Sequence, residues 1–442
     1  MRSTQFFAVF LLAVGLASCG SGSSSHISSL STGAPTPSIG SSTTLTAQTA
    51  NNTSAASSFV NQSNGNLGAN NVSKVNVHTL LYPGATTKIL AHMMLWFGGS
   101  NHMNVGYNSD DATQVQKQVT DMISRGIDGV VIDWYGPNNS IDQATQMVMH
   151  EAEKHAGFTF AIMIDAGAMG NACSGCSGEQ TLAALVKYVN RTYFSSPAYM
   201  TIGGQPVVTN FNVDSSNSID WNAVKSAVSG PVKFLFQDQA GFSHEDSDGS
   251  YSWVRPTIGD YGLGYLSNFY DTGMGYTKEQ TVGASYKGFN DSLAAWGSNR
   301  IMDQQCGQTW LQTFDQINQL YSQGKQLPYL QLVTWNDYVE ATELESGIDS
   351  CFSLQPSVSG NTFQWSISGN ENTVDHYSVY SSADGQNLTE LTQTKPGTHS
   401  TDLCSLDIPQ GNNKLYVQAV GKPMLANRIP GAVSYSGSCG SK

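Results

Sequence analysis

The chain predicts an α/β fold: a (β/α)8 barrel followed by a small all-β sandwich. Three observations carry this expectation. Eight strand candidates, mostly apolar runs of five to seven residues, alternate with helical or loop segments between residues 88 and 334. Nearly all of them end in aromatic, amide or carboxylate residues on the C-terminal side. After Cys351 the pattern changes to short alternating strands separated by turn residues.

The elements follow in order. Residues 88–97 (KILAHMMLWF) read as an apolar strand. Residues 113–125 read as a helix, because Val115, Val119, Met122 and Ile123 share one face. Asp110 or Asp111 is its amino-cap and Gly126 closes it. A strand at 127–135 (IDGVVIDWY) leads to a helix at 140–155, capped by Ser140 and closed near Gly157. A strand at 158–166 (FTFAIMIDA) leads to a helix at 179–193 that turns Leu182, Leu185, Val186 and Val189 inward. Next come a strand at 205–211, a short helix at 221–228 and a strand at 232–239 (VKFLFQDQ). Residues 261–270 read as a weaker strand, 286–296 as largely loop, and 300–305 (RIMDQQ) as a strand. A helix at 309–324, with Trp310, Phe314, Ile317 and Tyr321 inward, precedes the closing strand at 328–334. Uninterrupted apolar runs imply burial on both faces, hence parallel strands. Eight such units in some 275 residues fit a barrel. A doubly wound sheet would want a Gly-rich phosphate loop after the first strand. FGGSNHMNVG lacks its glycine order, and no acidic residue follows the next strand in the required way.

The segments NTFQWSIS, HYSVYSSADG, HSTDLCSLDI and NKLYVQAVG resemble an immunoglobulin-like or fibronectin-type-III sandwich of roughly 90 residues. Trp365 and Tyr416 fall where such modules place core aromatics. A stabilising or spacer role is expected of it rather than sugar binding.

The amino terminus, MRSTQFFAVFLLAVGLASCG, has a positive Arg2 and an apolar run at 6–16 too short to span a bilayer. Small residues before Cys19 resemble a bacterial lipobox, which implies cleavage before Cys19 and its acylation. The alternative is an ordinary signal peptide with an incidental cysteine. Residues 20–75 are almost all Ser, Gly, Thr, Asn and Ala and read as a flexible tether. The expected organisation is a signal peptide at 1–18, the tether at 19–75, the barrel at 76–352 and the sandwich at 353–442. Of seven cysteines, six remain once Cys19 is lipidated, an even number suited to an oxidising compartment. Cys173 and Cys176 could form a redox pair or half a zinc site, but no thioredoxin-like unit or second ligand pair accompanies them. A small disulfide-pinned loop fits better. Cys404 with Cys439 would staple the C-terminal module and leave Cys306 with Cys351, a pairing that spacing alone leaves open. Charged residues are 12% of the chain, against about 25% in ordinary globular proteins. The net charge of −13 argues against a nucleic-acid partner, since little would neutralise phosphates. A neutral polar surface suits work outside the cell on an uncharged polymer.

The strand ends carry the candidate chemistry. They supply Trp96 (with His92 inside), then Asp133, Trp134 and Tyr135, then Asp165, Asn210, Gln237 with Asp238, Asp303, and finally Trp335, Asn336 and Asp337. Glu340, Glu343 and Glu345 follow in the same stretch. Indoles stack on pyranose faces while amides and carboxylates bind hydroxyls. Two carboxyls suffice to cleave a glycosidic bond: one protonates the leaving oxygen, the other activates water or attacks the sugar. No HxH, HExxH or paired His/carboxylate spacing is present, so no metal or other cofactor is expected. A GxSxG elbow is missing too, which argues against a serine hydrolase.

TWNDYVEATELE is similar to the strand-eight motif of glycoside hydrolase families 71 and 99, which reads close to W-N-(D/E)-aromatic-x-E. IDGVVIDWYGP resembles their second strand, and GSYSWV at 249–254 resembles a family 71 segment after strand five. The resemblance covers roughly residues 88–350. It implies a metal-free (β/α)8 barrel that cleaves α-1,3-glucan (family 71) or internal α-mannosidic bonds (family 99). It implies that Asp337 and Glu340 are the catalytic pair. Family 71 is associated with inversion and family 99 with participation of the 2-OH. The chain departs from the pattern at Val339, where Gly is usual, and at Ala341, where Gly or Ser is common. Val339 is placed to restrict the loop that aims Glu340. The expectation is a monomeric, lipid-anchored glycosidase acting on an α-linked polysaccharide in the cell envelope. Gly20 after the cysteine points, by resemblance to lipoprotein sorting, to the outer membrane or cell surface. The alternative is a non-catalytic glycan-binding lipoprotein on the same scaffold, which would need the aromatics but not both acids. A purely structural envelope protein would explain the anchor but not the strand-end residues.

Overall fold

The computed structural model describes residues 72–439 apart from Ser100, Asn101, Asn171, Asn217 and Ser438. The signal segment, Cys19 and most of the tether lie outside the described residues. Residues 72–75, assigned to the tether, are packed chain instead. Val72 and Ser73 are buried, and Val72 forms a bridge with Ala426.

Eight parallel strands close into a barrel: β1 (Lys88–Met94), β2 (Gly129–Trp134), β3 (Thr159–Asp165), β4 (Gln205–Phe211), β5 (Lys233–Gln237), β6 (Gly249–Tyr251), β7 (Gln280–Ser285) and β8 (Tyr329–Leu332). Each pairs with its sequence neighbours, and β8 pairs with β1 to complete the ring. Helices α1 (Ala112–Ser124), α2 (Ser140–Ala152), α3 (Gly178–Tyr193), α4 (Trp221–Ala227), α5 (Leu263–Gly275) and α6 (Gln308–Leu320) cross between strands. Between β5 and β6 there is only a 3-10 turn, Gln239–Ser243.

Local chemistry sets the helix starts. The Asp111 side chain caps α1, and Ser177 and Gln180 form a reciprocal capping box at α3. At α2 the cap is Asn139 rather than Ser140, because the Asn139 carboxamide accepts from the Asp142 N–H.

Strand alternation divides the core. Leu90, Val131, Met163, Val207, Leu235 and Val282 fill the barrel interior. Ile89, Ile132, Ile162, Val208, Phe234 and Leu330 face the helices. An inward residue is therefore always flanked by outward ones.

Two strand expectations fail. Residues 263–270 belong to α5, whose buried residues Leu266, Phe269, Tyr270 and Gly273 recur at helical spacing. Residues 300–305 contribute only a two-residue ladder, Ile301–Met302, paired with Phe289–Asn290 in a hairpin outside the barrel. The strands actually used are β6 and β7. β7 is poor in large apolar side chains because Tyr270 and Leu327 crowd Gly283, where an added Cβ would lie 2.8 Å from the Tyr270 hydroxyl.

Residues 353–435 form two antiparallel sheets. One contains β9 (Ser353–Ser359), β10 (Thr362–Ser368) and β13 (Ser400–Asp402). The other contains β12 (Thr389–Thr394), β11 (Val374–Ser382), β14 (Asn413–Gly421) and β15 (Val433–Tyr435), in that spatial order. Phe363 and Trp365 of one sheet share a core with Tyr377, Val379, Leu415 and Val417 of the other. Tyr416 is not part of it. Its register puts it on the opposite face, beside Tyr380. The segment after β14 reaches the barrel wall: Met424 and Leu425 join the barrel core, and the Trp310 indole donates to Pro423 O (3.0 Å). The disulfides are Cys173–Cys176, Cys306–Cys351 and Cys404–Cys439.

Candidate active site

A cavity of about 120 Å3 opens at the C-terminal end of the barrel. It is lined by the carboxyls of Asp133, Asp165, Asp337 and Glu340 and by an aromatic wall that includes Trp96, Tyr135, Phe211, Trp253 and Trp296. Asp133 and Asp165 arrive on inward positions of β2 and β3. Trp96 and Trp253 lie two residues beyond the inward Met94 and Tyr251, so alternation carries them into the same mouth.

Asp337 and Glu340 sit in the turn after β8. The Asp337 N–H donates to Thr334 Oγ1 (2.8 Å). Asp337 Oδ1 accepts from the N–H groups of Val339 and Glu340, both at 3.0 Å. Burial raises the Asp337 carboxyl to about 6 against those two donors. Burial, with Asp337 next to it, raises Glu340 to about 7, and the Trp296 indole N–H opposes this from 3.4 Å. Asp133 is pushed well above the carboxylate range by burial and then by Asp165, Asp337 and Glu340. Its Oδ1 finds no hydrogen-bond partner among the described residues. Asp165 is also raised by burial, although the Gly167 N–H (2.6 Å) and the Tyr135 hydroxyl pull it back. His92, packed edge-on against Trp253 with centroids 4.6 Å apart, is depressed to about 3 by burial and is neutral. The mouth thus holds crowded, partly protonated acids beside indole faces.

Several sequence candidates lie elsewhere. Trp134 is 0% exposed. It follows the inward Asp133, so it faces the helices, donates to Asp142 Oδ1 (3.0 Å) on α2 and stacks on Tyr188. Trp335 is also 0% exposed, under the Arg125 guanidinium at 5.0 Å. Asn336 is a brace: its carboxamide accepts from Met94 N–H (2.8 Å) and donates to Met94 O (2.9 Å), tying the end of β1 to the turn after β8. Asp238 accepts from Tyr265 and pairs with Arg255. Asp303 caps the Gln305 N–H (2.6 Å). Gln237 shares the inward register of Leu235 but does not line the cavity. Glu343 pairs with Lys287 (2.6 Å), and Glu345 accepts from Tyr107, Tyr338 and Gln118.

Sequence reasoning missed Trp253, Phe211 and Trp296 as lining residues. Counting register from Tyr251 would have found Trp253. Trp296 had no such signal, because it comes from an excursion outside the strand pattern.

The profile of glycosyl hydrolase family 71 matches residues 86–344, well over half of the chain. The chain belongs to glycosyl hydrolase family 71. This family 71 protein is a glycosidase, and the matched span contains every cavity-lining residue named above. Among solved structures it is similar to the GH99 endo-α-mannosidase of Bacteroides thetaiotaomicron in complex with bis-tris-propane. That likeness has 16% identity, covers 63% of this chain and 89% of that one, and has a TM-score of 0.48. A second structure of the GH99 endo-α-mannosidase from the same organism has 15% identity, coverage of 58% and 87%, and a TM-score of 0.47. No curated protein matches the chain.

Proposed function

We propose that this family 71 protein hydrolyses an α-1,3-linked glucan, with Glu340 as general acid and Asp337 as general base. The supporting observation is that the two carboxyls share one cavity and are held near neutrality, Glu340 at about 7 and Asp337 at about 6. The group with the higher proton affinity keeps its proton and delivers it to the glycosidic oxygen as that bond breaks. Asp337 is the group favoured to be ionised, because two backbone N–H donors hold its charged form. With Oδ1 engaged by two backbone donors, Oδ2 takes a proton from the attacking water, whose oxygen bonds to the anomeric carbon as the glycosidic bond breaks. Asp133 and Asp165 bind sugar hydroxyls, and Trp96 and Trp253 provide stacking faces. A protein that only bound glycan would need these aromatics but not two acids crowded at such electrostatic cost.

Reducing-sugar release from insoluble α-1,3-glucan tests the reading, with α-mannan as the comparison. Wild-type protein should release sugar from the glucan, while Asp337→Asn and Glu340→Gln remain folded and inactive. Near wild-type turnover in both variants would sink the assignment. Binding without turnover by the wild type would favour the glycan-binding alternative.

The same reading places the enzyme on the cell envelope through acylated Cys19, acting as a single chain. The two C-terminal sheets then serve as a fibronectin-type-III-like brace for the barrel. Cys19→Ser should move an active enzyme from the membrane to the soluble fraction. Retention of that variant in the membrane would rule out lipid anchoring.

A further inference from the structure

The hairpin between β7 and α6 is built as a rigid unit. Phe289–Asn290 pairs with Ile301–Met302. Asp291, fully buried, accepts from the N–H groups of Ser298 (3.1 Å) and Arg300 (2.6 Å) and from Arg300 Nε (2.8 Å). The Arg300 guanidinium lies over the Phe289 ring at 5.0 Å. At Gly297 a side chain would collide with Asp291 O, so the tip admits only glycine. This unit is docked on the proposed acid twice. The Asn290 N–H donates to Glu340 O (2.8 Å), and the Trp296 Nε1–H reaches Glu340 Oε1 (3.4 Å). Trp296 nonetheless keeps 58% of its surface exposed while lining the cavity. Leu293 and Ile301, on the same hairpin, are 72% and 57% exposed. An indole anchored by its N–H and open on its face, at the edge of a carbohydrate cavity, costs apolar exposure unless a sugar covers it.

We propose that Trp296 is both a positioning residue for Glu340 and the stacking platform for the sugar on the leaving-group side of the scissile bond. This rests on the reading of Glu340 as the acid. A proton donor stands beside the glycosidic oxygen, so the indole next to it faces the departing sugar. Fixing Glu340 through the indole N–H keeps its carboxyl aimed without consuming the ring face. The rigid hairpin supplies the precision that a free loop would not.

The test uses two substrates: an α-1,3-gluco-oligosaccharide, and the α-glycosyl fluoride of an α-1,3-glucotriose. Fluoride needs no protonation to leave and places no sugar beyond the bond. Trp296→Ala should raise KM for the oligosaccharide about tenfold, the equivalent of about 1.4 kcal/mol, and leave fluoride hydrolysis within about twofold. Trp296→Phe retains a stacking face and loses the N–H. Its KM should hold, and the basic limb of its pH profile should move up by about 0.5 unit, because a donor to the ionised form has been removed. An unchanged oligosaccharide KM in Trp296→Ala overturns the platform, as does an equal loss on both substrates. An unmoved limb in Trp296→Phe overturns the positioning role. Glu340→Gln is the control for the underlying reading: it should lose the oligosaccharide and keep the fluoride. If it keeps both, the acid assignment fails independently of Trp296.

Discussion

Two sets of tryptophans differ by little in sequence and by everything in fate. Trp134, the last residue of β2, and Trp335, just beyond β8, are sealed behind the barrel wall. Trp96, Trp253 and Trp296 line its mouth. At β2 the difference is one step of register: Asp133 points into the barrel, so Trp134 points at α2. At β8 the strand ends at Leu332 and the backbone turns before the indole, which falls under Arg125. A single motif thus supplies the proposed acid–base pair, Asp337 and Glu340, and bracing from Trp335, Asn336 and Glu345. The Arg125 guanidinium links these, donating to Leu344 O (2.9 Å) and Glu345 O (2.8 Å) and pairing with Asp121.

The sharpest break would come from the acids. Asp337→Asn or Glu340→Gln should cost about 10^2–10^4 in kcat, the usual range for removing a general acid or base, with melting temperature retained or raised. Glu345→Gln should do the reverse, because its buried carboxylate accepts from Tyr107, Tyr338 and Gln118: melting temperature falls and KM holds. If Glu345→Gln lost turnover while keeping its stability, the division between chemistry and bracing would be wrong.

The tryptophans come next. Trp335→Ala should destabilise by about 3–5 kcal/mol, as large aromatic truncations in cores do, with unchanged saccharide affinity in the molecules that remain folded. Trp253→Ala should leave denaturant midpoints near wild type and weaken saccharide binding about tenfold. Equilibrium unfolding and calorimetric titration with an α-1,3-gluco-oligosaccharide separate the two.

How much of this was legible follows from the same register logic. Strands β1 to β5 and β8 were visible as apolar runs, since their side chains are buried on both faces. β6 is three residues long, too short for periodicity, and β7 (QTVGAS) hides its burial behind small residues that accommodate Tyr270. The stretch YGLGYLSNFY looked like a strand because Gly and aromatics lower apparent helix propensity, yet its spacing of buried residues is helical. Asp133, Asp165, Asp337, Glu340, Trp96 and Tyr135 were read from strand ends and do meet. Trp296 could not be read, because a hairpin outside the barrel period delivers it.

Proton linkage gives the Asp337 carboxyl a signature of its own in stability. Asp337 titrates at about 6 in the folded protein, above the ordinary value of 3.8. A raised carboxyl penalises the folded state fully above the folded value, and the penalty fades as pH falls towards the unfolded one. Asp337→Asn should therefore stabilise the protein at pH 8, on the order of 2–3 kcal/mol, and have little effect at pH 4. Thermal unfolding at the two pH values reads this directly; equal shifts at both would remove the electrostatic explanation. In activity, the proposed base near 6 and the proposed acid near 7 predict a narrow optimum between them.

The smallest effect lies in the turn that carries Asp337 and Glu340. Family resemblance suggests glycine at 339 and glycine or serine at 341, but the backbone demands them unequally. Val339 is buried, its N–H holds Asp337, and it is not among the described positive-φ residues. Ala341 has φ of +51°, where a Cβ is strained. Val339→Gly should cost about 2 kcal/mol by deleting buried methyls and adding unfolded-state freedom. Ala341→Gly relieves about 1–2 kcal/mol of left-handed strain and forfeits about 0.5–1 kcal/mol to that same freedom, for a net gain of about 0–1.5 kcal/mol. Urea unfolding of the two variants side by side decides it. If Ala341→Gly destabilised the protein while Val339→Gly did not, the turn would be held by the 339 backbone instead. Val339 would then be the residue that misdirects Glu340.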